Sequence, residues 1–286
     1  YLRQWFGPVC DELKPVRPVG KPIPPLEANY FEEITTQQIA TFLTRAKRER
    51  NYEPKTVMRY REVIMRVFNW AMAHRGIRMP GDRNPVKRVE RPKENARTIR
   101  FLTLEHIDQQ LEALADHPQL QAMVAVYIYA GLRREETLWL TRIDMDLSAG
   151  QCGAIHIRAK TVNGDYWQPK TKLNRVVPIS RTLRAHLDRY QPPIVPGHWY
   201  FPSPEGKRWD ADNFSRTHRT VQATKKLRWN CLDYRHTFGS QLAIRGESLF
   251  KIATLMGNSP EICRRHYATL TPESLRDAVE FSTAFG

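Results

Sequence analysis

Leu255-Met256-Gly257-Asn258-Ser259-Pro260-Glu261-Ile262-Cys263-Arg264-Arg265-His266-Tyr267 reads as the end of one helix and the start of the next. Gly257 suits the left-handed residue that closes a helix. Ser259, Pro260 and Glu261 are an N-cap, a first-turn proline and a first-turn acid. Tyr267 then falls about two turns into the new helix, beside Arg264, Arg265 and His266. A tyrosine among cations is either a phosphate-facing group or an ordinary residue of an amphipathic helix, and this window by itself favours the second reading.

Two further stretches change the balance. Gly131-Leu132-Arg133-Arg134-Glu135-Glu136 puts an arginine directly after a glycine turn, with a carboxylate one helical turn later. Read alone, it is a surface charge cluster; read with a cleft in mind, Arg133 points inward and Glu136 holds it by a salt bridge. Tyr234-Arg235-His236-Thr237-Phe238 supplies a second arginine. Together the three windows resemble the tyrosine recombinase (phage integrase) family. Arg133, Lys170, Arg235 and Tyr267 match that family's Arg–Lys–His–Arg–His/Trp–Tyr constellation. Two positions depart from it. Leu232 stands where the family usually has the His of His-x-x-Arg, and Asn258 where it has the His of Leu-Gly-His-Ser. The resemblance is strong over about residues 98–270 and weaker over about 30–95.

The resemblance implies a DNA recombinase that needs no metal or cofactor. A phosphodiester gains charge on its two non-bridging oxygens as phosphorus becomes five-coordinate, and guanidinium forks suit those oxygens. Arg133 and Arg235 are the expected clamp. Tyr267 is the expected nucleophile, giving a 3′-phosphotyrosine link and a free 5′ hydroxyl, and Lys170 the expected general acid, with Lys172 its fallback. Tyrosine ionises near pH 10, so the two arginines and the lysine are expected to stabilise the phenolate. Leu232 cannot take a proton, which leaves His236 or water to do so, and Asn258 can still donate to a phosphate oxygen. The rival readings are a catalytically weak DNA-binding relative, acting as an accessory or regulatory protein, and a nicking enzyme similar to type IB topoisomerases.

Composition agrees with a nucleic-acid partner. The 286 residues carry 45 basic and 30 acidic side chains, a net charge of +15. Both parts of the chain are basic: residues 1–97 hold 20 basic and 11 acidic groups, and the remainder 25 and 19. Neither contains a solid basic tract, which favours folded cationic faces over a basic tail. No run of 18 apolar residues suggests a membrane span, and no charged-then-apolar leader suggests secretion. Cys10, Cys152, Cys231 and Cys263 are scattered without a CxxC pair, which fits a reduced, cytoplasmic setting. Their spacing to His236 and His266 matches no common zinc module. The chain begins at Tyr1 rather than Met, so it is expected to be a fragment.

The order of elements suggests a mostly α protein with a small β-sheet, in two domains. Residues 1–29 form an N-terminal segment and a proline-rich linker. Residues 30–90 form a helical core DNA-binding domain, residues 91–100 a basic linker, and residues 101–286 an α+β catalytic domain with a C-terminal tail helix. In the first domain, Thr35 and Gln38 make a capping box, and Ile39, Phe42, Leu43 and Ala46 follow helical spacing. A second helix over 55–74 faces inward through Val57, Tyr60, Ile64, Val67 and Ala71, leaving Arg59, Arg61 and Arg66 on the other side. Arg45, Lys47, Arg48, Arg59 and Arg66 are candidate phosphate contacts, as are Lys87 and Arg88 at the start of the basic linker. In the second domain, Thr103 caps a helix and an apolar helix over 119–130 ends at Gly131. Residues 153–158 and 165–179 alternate like strands, with a hairpin turn at Thr171–Asn174 that would present Lys170 and Lys172. Helices follow over 181–191 and 211–223. The latter bears Arg216, His218 and Arg219 and is followed by Lys225 and Lys226; Arg216, Arg219, Lys225 and Lys226 are candidate DNA contacts. Trp199, Tyr200, Phe201 and Trp209 suit packing better than base stacking. A tail helix from Thr271-Pro272, with Leu275, Ala278, Val279 and Phe281 on one face, would dock either on its own domain or on a neighbouring copy. The resemblance further implies double-stranded DNA sites as partner, assembly as a tetramer on DNA, and possible accessory DNA-bending proteins.

Overall fold

The computed structural model describes residues 28, 30–91 and 99–270. The chain divides into two compact units, Tyr1–Arg97 and Thr98–Gly286. The proline-rich linker, Lys93 and Arg97 of the basic linker, and the expected tail helix lie outside the described residues.

The first unit is built on two helices, α1 (Thr36–Arg50) and α2 (Pro54–His74). The capping box at its entry forms: Gln38 N–H donates to the Thr35 hydroxyl, and the Gln38 side chain accepts from Thr35 N–H at 2.8 Å. Asn51, at φ 48°, closes α1 in the left-handed region, where Asn is tolerated better than most residues. Ile39, Phe42, Leu43 and Ala46 pack with Val57, Tyr60, Ile64 and Phe68 in one cluster.

One face of α2 departs from the sequence expectation. Phe68, rather than Val67, is fully buried, and Arg61 is buried as well at 3% exposure. Position 61 lies on the stripe of 57, 60, 64 and 68 by helical geometry; only its charge places it outside in a sequence reading. Its stem packs inward while its guanidinium donates to the carbonyls of Val86 (2.9 Å) and Val89 (3.2 Å). Those carbonyls belong to the segment that closes the unit, where Asn84 caps a short turn over Pro85–Arg88. Arg61 is therefore a structural arginine.

In the second unit Thr103 caps α3 (Leu104–Glu112) through its hydroxyl. The central helix α4 (Pro118–Ala130) is apolar on nearly every side and buried accordingly. It ends at Gly131, φ 63°. A Cβ there would stand 2.3 Å from the Phe238 ring, so both backbone conformation and space require glycine. A short helix α5 (Arg134–Leu138) follows, then β1 (Met145–Asp146), β2 (Ala154–Ile157), β3 (Lys160–Val162), β4 (Asp165–Trp167) and β5 (Arg175–Pro178). The remaining helices are α6 (Arg181–Leu187), α7 (Ala211–Thr224), α8 (Cys231–Ile244), α9 (Leu249–Met256) and α10 (Pro260–Tyr267). The chain is thus mostly helical with small antiparallel sheets. α4 packs against α6 and α8, and a second apolar cluster joins α8, α9 and α10 through Phe238, Ile252, Met256, Cys263 and Tyr267. Trp199, Tyr200 and Phe201 are buried. Among the described residues no helix is long and apolar enough to cross a membrane.

The strands correct the expected hairpin. The strands on either side of the expected turn at Thr171–Asn174 do not pair with each other. β4 folds back on β3 through Asn163-Gly164, pairing Val162 with Asp165. β5 pairs instead with β2, Ile155 opposite Val177, so the larger sheet has the order β1-β2-β5. Asn-Gly is the stronger hairpin signal, because both residues accept positive φ. Pro169, lacking an N–H, cannot extend the ladder. Lys170 and Lys172 consequently sit on an exposed connection between β4 and β5 rather than on a two-stranded turn. The helix expected over 181–191 also stops early, at Leu187.

Replacing Arg61 with Ala takes from the Val89 carbonyl its donor and leaves the Val86 carbonyl only the Val89 N–H, at 3.1 Å. The expected loss is about 1–3 kcal/mol, seen as a lowered urea midpoint of the first unit; a midpoint unchanged from the unsubstituted chain would show that the two bonds contribute nothing.

Candidate active site

The site is assembled from the Gly131 turn, the middle of α8, the α9–α10 connection and the start of β5. Arg133 is the N-cap residue of α5, and Glu136 occupies the third helical position. The Glu136 carboxylate accepts from Arg133 N–H at 2.7 Å and from Arg133 Nη1 at 2.8 Å. One side chain therefore caps the helix and fixes the arginine that precedes it. Glu136 is 1% exposed and also receives both terminal nitrogens of Arg175, at 2.9 and 2.6 Å. Burial raises the Glu136 carboxyl, but the hydrogen bonds and charge of Arg175, followed by those of Arg133, outweigh it and bring its pKa down to about 2.

Arg235 reaches the same point from α8. It is 6% exposed. Its Nη1 donates to the Gly131 carbonyl, and its Nη2 to the Met256 carbonyl at 2.7 Å and to Asn258 Oδ1 at 2.9 Å. Arg133 Nη2 donates to the same Asn258 Oδ1 at 2.7 Å and to the Gly257 carbonyl at 2.5 Å. Only the carbonyl oxygen of an amide can face two guanidiniums, so the orientation of Asn258 follows from its partners. The Nε of each arginine carries no hydrogen bond among the described residues. Burial, and then repulsion from Arg133, lower the Arg235 pKa to about 10, so it remains charged at neutral pH.

Tyr267 lies at the end of α10, held there by a helix that starts as its sequence reads: Ser259 caps it and Pro260 opens it. The phenol is 1% exposed. Its ring lies across Gly239, where a Cβ would come within 2.4 Å of it. Its hydroxyl is 3.0 Å from His236 Nδ1. Burial raises the phenol's pKa; Arg235 opposes this without reversing it. The expectation that surrounding cations ease ionisation is thus not met in this arrangement, because loss of solvent outweighs one nearby charge. His236 is the group able to accept the proton. Burial, the adjacent His266 and Arg235 lower its pKa to about 4, so it is neutral at pH 7. His266 stands beside it, the two ring centres 5.4 Å apart.

The remaining sequence candidates divide into those near this cluster and those away from it. Leu232 is 59% exposed at the start of α8 and fills no part of the core. Lys170 is exposed and makes no hydrogen bond or ion pair among the described residues, as is Lys172 but for its backbone bond to Pro169. Lys160, by contrast, is partly buried, with its ammonium held by Asp144 and the Trp139 carbonyl. On α7, Arg216 and Arg219 share an exposed face, whereas His218 is buried with Nε2 3.3 Å from the Tyr234 hydroxyl, and so is no surface group. Lys226 is exposed, while Lys225 is tied to Asp116 at 2.6 Å. In the first unit Arg45, Lys47, Arg48, Arg59, Arg66, Lys87 and Arg88 are all exposed. Sequence reasoning missed Arg175, Gly239 and His266. Arg175 carried no signal beyond opening a strand; a glycine inside a helix, at 239, was the one available pointer to a close approach.

A sequence profile of the phage integrase family matches residues 100–273. Comparison with curated protein sequences finds no match. Among solved structures, the Tn1549 transposon integrase in complex with a circular intermediate DNA is similar at TM-score 0.67 and 18% identity, over 87% of this chain and 86% of that one. A lambda integrase dimer bound to a COC′ core site is similar at TM-score 0.63 and 16% identity, over 88% and 84%. The XerH site-specific recombinase bound to a palindromic difH substrate is similar at TM-score 0.62 and 16% identity, over 89% and 74%. At such identities the likeness is one of fold.

The Glu136 carboxyl is depressed in the folded chain, so its stabilising contribution is complete above about pH 4.5 and is lost as pH falls towards about 2. That difference corresponds to about 3 kcal/mol. Glu136→Gln is expected to lie below the unsubstituted chain by roughly this amount at pH 7. The gap should close below pH 4 in denaturant titrations; a gap independent of pH contradicts the account.

Proposed function

The chain belongs to the phage integrase family, and from that premise we propose that it is a site-specific DNA recombinase that cuts and rejoins DNA through a 3′-phosphotyrosine intermediate. The observation that carries the reading is the meeting of Arg133 and Arg235, from distant segments, on the single oxygen of Asn258. Two guanidiniums converging on one acceptor are arranged for a phosphate, whose non-bridging oxygens would take the free Nε donors. Such preorganised charge is commonly the largest single contribution to catalysis.

In the proposed reaction His236 Nδ1 takes the proton of the Tyr267 hydroxyl, and the phenolate oxygen attacks phosphorus. The bond from phosphorus to the 5′ oxygen breaks, and Lys170 protonates that oxygen as it leaves. The energy of the phosphodiester is kept in the tyrosyl ester. A 5′ hydroxyl from another strand reverses the step: it gives its proton to Lys170 as it attacks phosphorus, the bond from phosphorus to the tyrosyl oxygen breaks, and His236 returns the proton to Tyr267. His236 thereby does the work for which Leu232 is unfitted. Tyr267 is buried in the present arrangement, so α10 shifts when a phosphate reaches it. Lys170 sits on an exposed connection and comes to the phosphate as DNA is bound, with Lys172 beside it. Asn258 stays with the arginines and donates its amide to a phosphate oxygen.

The partner is a double-stranded DNA site, on which copies of the chain assemble as a tetramer, with accessory DNA-bending proteins where a site requires them. Residues 30–90 serve as the helical DNA-binding domain, gripping phosphates through Arg45, Lys47, Arg48, Arg59 and Arg66, while Lys87 and Arg88 begin the basic linker. Arg216 and Arg219, on one face of α7, and Lys226 after it contact DNA from the second unit. Lys225 joins them only if its pair with Asp116 opens. Integration or excision of a mobile element in the cytoplasm is the setting.

The reading is tested with a nicked suicide duplex bearing the protein's own recombination site. The unsubstituted chain is expected to form an SDS-resistant adduct, and Tyr267→Phe to bind the duplex nearly as well and form none. DNA binding without any adduct favours the catalytically weak relative, which Leu232 and Asn258 would explain.

His236→Asn keeps a polar atom beside the phenol but no useful base. Cleavage is expected to slow by about 10²–10⁴-fold. In the unsubstituted chain the rate should fall only as pH approaches about 4, where His236 takes up a proton, and the variant should lose that limb. A variant as fast as its parent, with the same pH profile, removes His236 from the mechanism.

A further inference from the structure

Arg175 opens β5, five residues after Lys170, and its side chain is 7% exposed. Its fork meets both oxygens of Glu136, the carboxylate that holds Arg133. Its Nε donates to the Leu255 carbonyl at 3.0 Å, in the last turn of α9. Its guanidinium also lies against Gly257, where a Cβ would stand 2.9–3.2 Å from Nη1, Cζ and Nε. The carbonyls of Met256 and Gly257 and the oxygen of Asn258 are among the groups that orient Arg133 and Arg235. One buried side chain therefore touches the carboxylate that holds Arg133 and the Leu255 and Gly257 backbone on either side of the Met256 carbonyl that receives Arg235, while bonding to neither arginine.

We propose that Arg175 is a positioning residue of the phosphate clamp, fixing Arg133 through Glu136 and fixing the Gly257–Asn258 turn through Leu255. This rests on the recombinase reading given above. A buried ion pair that served folding alone would need only a charge beside Glu136. The observed contacts need more: a planar fork on two carboxylate oxygens, with a third nitrogen turned towards α9. Lysine supplies the charge without the fork. Loss of the fork frees Glu136 to move with Arg133, and a displacement of about 1 Å at a reacting centre can cost about 10²-fold in rate. Loss of its leading partner also lets the Glu136 carboxyl rise from its depressed value, so protonation begins to release Arg133 within the working pH range.

The test is a rate cycle on the suicide duplex at saturating DNA, using the full chain, Arg175→Met, Glu136→Gln and the double variant, with Arg175→Lys as the milder change. Arg175→Met is expected to bind the duplex within about twofold of its parent and to form adduct about 10²-fold more slowly. An acid limb should appear in its pH profile where the parent is flat. The double variant should be slower than Glu136→Gln by much less than Arg175→Met is slower than its parent, because the Glu136 route is already lost and only the hold on Leu255 remains, and Arg175→Lys should recover only part of the rate. Adduct formation at the parental rate overturns the proposal, as do losses that multiply in the double variant. Weakened binding with an unchanged saturated rate and pH profile also overturns it. Should Arg175→Met not fold, Arg175→Lys decides by the same rate and pH comparison. Absence of adduct from the unsubstituted chain defeats the recombinase reading itself, and this inference with it.

Discussion

The buried carboxylate of Glu136 is held between Arg133 and Arg175, and the geometry of the second unit follows from that arrangement. A carboxylate at 1% exposure is tolerated only because guanidinium donors meet both of its oxygens. The same bonds cap α5, set the direction of Arg133, and anchor the first residue of β5. Arg175 carries the constraint onward to α9 through the Leu255 carbonyl. Sheet, short helix and the α9–α10 connection are thereby joined at one point, where removal of any partner would strand a charge in the interior.

Around that point the polar contacts are short in range but distant in sequence. The Gly131 carbonyl receives Arg235, while its positive φ and the Phe238 ring leave no room for a Cβ. Asn258 gathers both arginines. The tyrosine is governed by different forces: burial against Gly239 raises its pKa, and the neutral imidazole of His236 offers the acceptor that a raised phenol requires. The arginine pair and the tyrosine are thus separately built, one from buried charge and the other from apolar packing with a single hydrogen bond.

Much of this was legible in the chain. Caps at Thr35, Thr103 and Ser259 and the stops at Gly131 and Gly257 are local signals, and the structure forms them locally. The salt bridge between Arg133 and Glu136 was readable because its partners are one turn apart. What failed was non-local or chemically disguised. Arg61 follows the apolar stripe of α2 yet reads as a surface group until its two carbonyl partners are seen. The hairpin expected to turn at Thr171–Asn174 overlooked that Asn163-Gly164 is the better turn and that Pro169 interrupts a ladder. Arg175 meets Glu136 from 39 residues away in sequence, and no periodicity reports such a pairing.

The most direct measurement is chemical identification of the covalent link. The suicide-duplex adduct would be digested with protease and nuclease, the modified peptide sequenced by mass spectrometry, and the released strand tested for kinase labelling without prior phosphatase. The account predicts a nucleotide joined through its 3′ phosphate to Tyr267, and a released strand that accepts label because its 5′ end is a free hydroxyl. Attachment through another residue, or a 5′-phosphoryl link to the protein, would contradict it.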